Sequence, residues 1–285
     1  MKLAFFRDED GWGLGLYVAA LNKGVDAYLF DDDESLASMP DDAVLFVRMS
    51  HKDAYRERYK GRIETWSRVQ KIVPGARMGK LYDDKVAQQE KLAAYMPPGY
   101  VVRNEEEAYT AMRWLQMPFV AKSYSGAGSK GVRLIDNSEE AIRDLNARRK
   151  EEGAFIWQRF CKDNAHDYRC LIVGKERLWI KRLNRENVPF ASGSGNVVPL
   201  TAREVPRMMA EWVERFIIDQ QKEGGIFTDT PIPFGGVDLI YMDGKPVMTE
   251  ITTSWTLPVY FKSTWQDGRL GHAFFDIVVE QLCNS

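Results

Sequence analysis

The chain has 285 residues, long enough for two domains or one large multi-lobed one with an ample core. Its 39 lysines and arginines nearly balance 41 aspartates and glutamates, so whole-chain charge points to no obligatory polyanion partner. The three cysteines, Cys161, Cys170 and Cys283, show no CxxC spacing, which argues against a disulfide framework or structural zinc and suits a reducing cytoplasm.

Leu3 to Phe6 reads as a first strand and is too short an apolar run for a signal peptide. Nothing downstream reaches the ~20 apolar residues of a membrane span, so no membrane partner is expected. Gly11-Trp-Gly-Leu-Gly leads into a helix to about Asn22. Val25 to Phe30 and Val44 to Val47 are further strands, with a turn at the acidic run Asp31 to Glu34. This alternation predicts a small open α/β domain over residues 1–80. From Arg48 to Lys80 basic residues dominate. They form either a solvated helical face with i,i+4 pairs, the simpler reading, or a patch for an acidic substrate or nucleic acid.

Asp83 to Tyr95 reads as a helix with acids in its first turn, stopped by Pro97-Pro98-Gly99. Asn104 with Glu107 has the form of a capping box opening a helix to Leu115, and Ser138 caps another to Lys150. Between them, strands Phe119–Lys122 and Val132–Ile135 flank a loop of Gly, Ser and Ala. Gly126, Gly128 and Gly131 satisfy GxGxxG, but a strand follows Gly131 and Lys122 precedes the glycines. Neither a dinucleotide-binding turn nor a Walker loop fits. What fits is a glycine-rich hairpin over a polyphosphate, with small hydroxyls from Ser125 and Ser129 and charge from Lys122. The alternative is an ordinary solvated hairpin.

Phe155 to Phe160, Tyr168 to Val173 and Leu178 to Leu183 are strands, followed by a small-residue loop, Pro189 to Asn196. Thr201 with Glu204 is a second capping box, starting a helix to about Lys222. A hairpin, Gly236 to Tyr241 and Pro246 to Thr252, precedes an amphipathic helix from Leu270 to Leu282. Val237, Leu239, Tyr241, Val247 and Ile251 take its core face. Asp238 and Glu250 meet only if the register sum is even. A three-residue loop, Met242-Asp243-Gly244 with a G1 bulge, gives that, whereas a two-residue Asp243-Gly244 turn does not. The bulged turn is expected. Two carboxylates on one face repel unless a cation lies between them, and their oxygens suit Mg²⁺ bridging phosphates. The alternative is one exposed acid and one salt-bridged acid.

Together these stretches resemble the ATP-grasp superfamily, and within it the RimK-like carboxylate–amine ligases, from about Asp84 to the C-terminus. His166-Asp-Tyr-Arg-Cys-Leu-Ile-Val-Gly174 is similar to the family's DIRCLVVG-type strand, and Phe155 to Phe160 to its nucleotide hinge. Gly236-Val-Asp-Leu-Ile240 and Thr249-Glu-Ile-Thr252 resemble its GVD and EVN metal strands. The resemblance implies an α/β ATP-grasp fold with an N-terminal domain over 1–80. The ATP-grasp domain would follow over 81–285, its small lobe 81–158 and its metal-binding lobe 159–285 holding the nucleotide between them.

ATP and Mg²⁺ (or Mn²⁺) are the implied cofactors. Lys85 and Lys122 would hold phosphates under a loop contributing Ser125, Gly126, Gly128, Ser129 and Gly131. Gln158 and the backbone of Arg159 and Phe160 would meet the adenine, and Asp167 the ribose. Asp238, Glu250 and Thr252 would bind the metal. Arg182 matches the arginine aimed at the transferring phosphate, its alternative being a surface arginine beside Lys181. Asn196 stands in for the family's loop asparagine. The implied reaction is ADP-forming: a carboxylate attacks the γ-phosphate, and an amine of an amino acid, peptide or modified small molecule displaces phosphate from the acyl phosphate.

Thr252 replaces the family's asparagine, and Phe190-Ala-Ser-Gly193 lacks the Arg and Asn of its FRSN-type loop, so glutamate addition is not implied. Trp255, Tyr260 and Trp265 line an acceptor pocket or pack in the core. The competing readings are a phosphotransferase with a hydroxyl acceptor and a non-catalytic nucleotide- or nucleic-acid-binding module. An ordinary protein kinase is disfavoured, since no HRD- or DFG-type sequence occurs.

Overall fold

Three sheets organise the described residues. The structure, a computed structural model, describes residues 1–48, 53–126, 131–162, 166–183, 197–253 and 269–285, without the side chains of 53–58, 60 and 269–273. The readings placed on Gly128, Ser129, Asn196, Trp255, Tyr260 and Trp265, and on the loop from Phe190 to Gly193, lie outside the described residues.

The first sheet is parallel, in the order β2-β1-β3-β4: β1 (Lys2–Phe6), β2 (Asp26–Phe30), β3 (Val44–Phe46) and β4 (Ile72–Val73). Parallel neighbours need crossovers, supplied by α1 (Trp12–Asn22), α2 (Asp33–Ala37) and α3 (Asp53–Trp66). The acidic run read as a turn starts α2, because Asp32 accepts the Ser35 N–H at 2.8 Å and caps it. Two-residue β4 is too short to leave a periodic signal. Arg48, assigned to a solvated or ligand-facing basic stretch, is instead buried over the Trp12 ring and paired with Asp10 at 2.5 Å. Arg68 does reach Glu64 at 3.5 Å, an i,i+4 pair of the solvated kind.

The second sheet is antiparallel, in the order β5-β8-β6-β7: β5 (Gly99–Val102), β6 (Phe119–Ser123), β7 (Val132–Ile135) and β8 (Phe155–Arg159). Helices α6 (Glu105–Leu115) and α7 (Ser138–Glu151) contribute to the core that buries Phe119, Ala121, Phe155 and Trp157. Period-two alternation leaves Val120, Lys122, Ile156 and Gln158 on the other face. Before this sheet come α4 (Ala76–Leu81) and α5 (Lys85–Lys91). The latter is shorter than expected, has no acid in its first turn, and gives way to a 3₁₀ turn at Ala93–Tyr95. The α7 cap is Asn137 rather than Ser138. Thr201 and Glu204 bond to each other in a turn of their own, and α8 (Arg207–Gln220) begins only after Pro206.

The third sheet has the order β11-β10-β9-β12-β13: β9 (His166–Val173), β10 (Glu176–Leu183), β11 (Val197–Leu200), β12 (Phe234–Met242) and β13 (Lys245–Thr252). One face buries Cys170, Ile172, Val237, Leu239, Met248 and Ile251 with apolar residues of α8. On the other face Leu171, Val173, Ile180 and Phe234 share one core with the first sheet, α1 and the last helix, α9 (Arg269–Cys283). The Phe46 and Phe234 rings meet edge to face, 5.0 Å apart. The far end of that same face carries charged groups. Among the described residues no helix is long and apolar enough to cross a membrane.

Candidate active site

The β12–β13 hairpin puts Asp238 opposite Glu250, as the parity argument requires, but by another device. Met242 pairs with Lys245, so the turn is the two-residue Asp243-Gly244, with φ of 50° and 74° as a type I′ turn demands. The register then shifts by one between Asp238 and Leu239, leaving Thr249 as the extra residue of a bulge inside the ladder. The same shift brings Met248, rather than Val247, to the core face. The carbonyl of Thr249 accepts from Lys122 Nζ at 3.4 Å.

On its other side Asp238 faces Arg169 in register. Arg169 Nε and Nη2 donate to the two carboxylate oxygens at 2.5 and 2.8 Å. Arg182, opposite Asp167, donates to both its oxygens at 2.6 Å and reaches Asp238 Oδ2 at 2.8 Å. Arg182 is 2% exposed, which removes the surface-arginine alternative. Burial alone would raise the Asp238 pKa, but the guanidinium groups of Arg169 and Arg182 outweigh it and hold it at about 2. For Asp167 burial prevails over the pull of Arg182, and its pKa is raised. Arg169 went unassigned in the sequence, although it lies two residues from Asp167 and so shares its sheet face.

Lys122, near the end of β6, donates to Gln158 Oε1 at 2.7 Å. Burial pushes its pKa down to about 8, against the attraction of Glu250 and with the repulsion of Lys85. Lys85, at the start of α5, lies 3.5 Å from Glu250 Oε1 and donates from Nζ to Gly126 O at 2.6 Å. Its backbone N–H donates to Tyr124 O at 2.7 Å, and Gly126 N–H to Asp83 Oδ1 at 2.9 Å. Ser125 sits in the bend between these anchors. The glycine-rich stretch is closed at its other end by Arg148, which donates to Gly131 O and Ser123 Oγ, both at 2.7 Å. Gln158 is buried, whereas the Arg159 side chain pairs with Asp243 at 3.2 Å and its N–H donates to Pro98 O at 2.8 Å. Phe160 follows β8 and lines a cavity with Cys161, Tyr241 and Met242. Lys85, Lys122, Asp238 and Glu250 therefore come together, although they arise from four separate elements.

A family model of the ATP-grasp domain matches residues 82–254. This chain belongs to the ATP-grasp family. The ATP-grasp family and fold expected from the sequence stand with that match. A comparison with curated proteins gave no match by sequence. Among solved structures, the RimK domain ATP-grasp protein of Sphaerobacter thermophilus has a TM-score of 0.63 at 17% identity, over 99% of this chain and 100% of that one. D-alanine–D-alanine ligase of Bacillus anthracis, complexed with ATP, has a TM-score of 0.60 at 15% identity, over 100% and 97%. The RiPP-associated ATP-grasp ligase of Chryseobacterium gregarium, in complex with ADP and a leader and core peptide, has a TM-score of 0.66 at 12% identity, over 99% and 96%. At such identities the likeness is one of fold.

The oxygen donors of this ATP-grasp site fit a hard divalent cation, with Glu250 leading. Glu250 is part-exposed, whereas three guanidinium contacts already occupy most of the lone pairs of Asp238. Thr252 follows Glu250 on the same face and is 9% exposed. No cluster of three or more His, Cys, Asp or Glu side chains forms among the described residues. A cation here would complete its shell from water and phosphate oxygens, the usual habit of Mg²⁺.

Proposed function

We propose that this ATP-grasp protein is an ADP-forming carboxylate–amine ligase that makes an amide through an acyl phosphate. The supporting observation is the convergence of Lys85 and Lys122 on Glu250 and Asp238: one lysine lies 3.5 Å from Glu250 and the other 3.4 Å from the carbonyl just before it. Two ammonium groups there would hold the triphosphate, with the buried amide of Gln158 supporting Lys122 from behind. Glu250, Asp238 and Thr252 would hold Mg²⁺, which when bound neutralises phosphate charge. Residues 1–80 are assigned as an N-terminal domain that shares a core with the metal-binding lobe.

Arg182, fixed by Asp167 and Asp238, would place its guanidinium at the transferring phosphoryl group without reorganising during the reaction. A substrate carboxylate oxygen bonds to the γ-phosphorus as the bridging β–γ bond breaks and ADP departs. The amine then attacks the acyl carbon, phosphate leaves, and the amine's proton passes to solvent. The carboxylate and amine, which are free amino acids, peptides or modified small molecules, need close positioning and exclusion of water from the acyl phosphate.

The experiment is incubation with Mg-ATP and pools of amino acids and peptides, read by mass spectrometry. ADP, phosphate and a dehydrated adduct support the ligase. ADP with a phosphorylated acceptor indicates a phosphotransferase instead, and no turnover with any pool indicates a binding module.

A further inference from the structure

Three amide side chains form a buried line behind Lys122, and the roles above leave Gln88 and Gln89 unused. Gln88, Gln89 and Gln158 are 0%, 5% and 3% exposed. Such burial is costly for a carboxamide unless both its ends find partners. Gln158 Nε2 donates to Gln89 Oε1 at 2.9 Å and to Pro97 O at 3.5 Å. Both acceptors lie at one end of the amide, so Gln158 Oε1 is turned the other way, toward Lys122 Nζ at 2.7 Å. A flipped amide would set two N–H donors against an ammonium and leave its oxygen facing two acceptors. Gln89, the nearer of the two acceptors, thus holds the amide so that its oxygen meets Lys122, with Pro97 O as a longer second contact.

Gln88, the next residue back on α5, fixes the helix itself. Its Nε2 donates to Ile251 O at 2.8 Å and to Leu81 O at 2.9 Å, and its Oε1 accepts from Ile251 N at 3.0 Å. It therefore pairs with β13 along the strand's outer edge, beside Glu250. One short helix holds Lys85 directly, Lys122 through Gln89 and Gln158, and the Glu250 strand through Gln88.

Resting on the ligase reading above, we propose that Gln89 is a positioning residue: by holding the Gln158 amide in one orientation it sets the Lys122 ammonium for the nucleotide phosphates, with Gln88 locking the shared helix to the metal-binding strand. Gln89 touches no substrate in this scheme, and its effect on nucleotide passes wholly through Lys122.

The test is a double-mutant cycle on ATP affinity, measured by calorimetry with Mg-ATP on the full chain: wild type, Gln89→Met, Lys122→Met and the pair. Losing one oriented hydrogen bond of about 1 kcal/mol weakens ATP binding about fivefold in Gln89→Met. In the Lys122→Met background the same change should cost less than about twofold. Gln89→Glu, which keeps an acceptor for Gln158 Nε2, should bind ATP as wild type does, and it serves as the readout if Gln89→Met does not fold. Equal losses from Gln89→Met with and without Lys122, or a Gln89→Glu variant that binds as weakly as Gln89→Met, would overturn the proposal. If wild type binds no ATP, the reading of the whole site falls; if wild type binds and the cycle is additive, only the role of Gln89 falls.

Discussion

Arg169 and Asp238 stand directly opposite each other on β9 and β12 and are joined by two hydrogen bonds, at 2.5 and 2.8 Å. Arg182 adds a third contact, so this carboxylate anchors two buried cations. Removing it takes both of these hydrogen bonds from the buried Arg169, whereas Arg182 keeps Asp167. Asp238→Ala should cost about 3–5 kcal/mol of stability in urea unfolding. Glu250→Gln, at a more open position, should stay within about 1 kcal/mol of wild type. Both should lower ADP release at least about 100-fold.

The same arrangement predicts a pH dependence of stability. The folded pKa of Asp238, about 2, lies below the ordinary 3.8, so its contribution is complete above 3.8 and is lost as pH falls toward 2. Urea midpoints of wild type should drop through that window. In Asp238→Asn the drop should be shallower over the same range.

Lys122 predicts the opposite limb. Its folded pKa, lowered to about 8, means that the ammonium needed for phosphate is lost as pH rises through that value. ATP kcat/KM should therefore fall above about pH 8. Because the unfolded chain keeps its proton up to 10.5, Lys122 also makes stability rise with pH between these values. Lys122→Arg, which stays protonated, should lose the alkaline limb even if its turnover is lower.

Two glycines should respond in opposite directions. Gly131 has φ of 78°, and a β-carbon there would fall 2.2 Å from Ser123 Oγ, inside the contacts that Arg148 makes with both residues. Gly131→Ala should lower stability by about 1–3 kcal/mol and raise the KM for ATP. Gly61 lies inside α3, where an added β-carbon would meet nothing within 4 Å. Gly61→Ala should raise stability by about 0.5–1 kcal/mol in thermal melts.

Gln88→Met removes three hydrogen bonds at a fully buried position and leaves the Ile251 N–H and two carbonyls without that partner. Unfolding should become easier by about 2–3 kcal/mol. A melt indistinguishable from wild type would mean that water replaces the amide.

Much of this was legible in the chain because alternation and short motifs are local. The strands of Lys122, Arg182, Asp238 and Glu250 could be placed from apolar runs and alternation, whereas Asp167, just ahead of the strand read from Tyr168, was reached only through the family resemblance. The device that brings Asp238 and Glu250 together could not, because Thr249 carries no mark of a bulge, whereas Asp243-Gly244 suits a tight turn and a bulged one alike. Arg169 was hidden for a different reason: its partner lies 69 positions away, on a strand paired only after folding. Gln88 and Gln89 were invisible because a buried glutamine and a surface one look the same until tertiary contacts choose between them. Asp32 shows the converse error, an acidic run taken for a turn when one of its members was capping a helix.

The shared core beneath β9, β10 and β12 has a practical consequence for dissecting the protein. Phe234, Leu171, Val173 and Ile180 are all less than 4% exposed in a cluster that includes Leu3, Phe5, Val44 and Phe46. A fragment trimmed to begin at residue 81 would bare that apolar floor to water and should aggregate on expression, so recombinant work needs the amino-terminal strands even when only nucleotide chemistry is of interest.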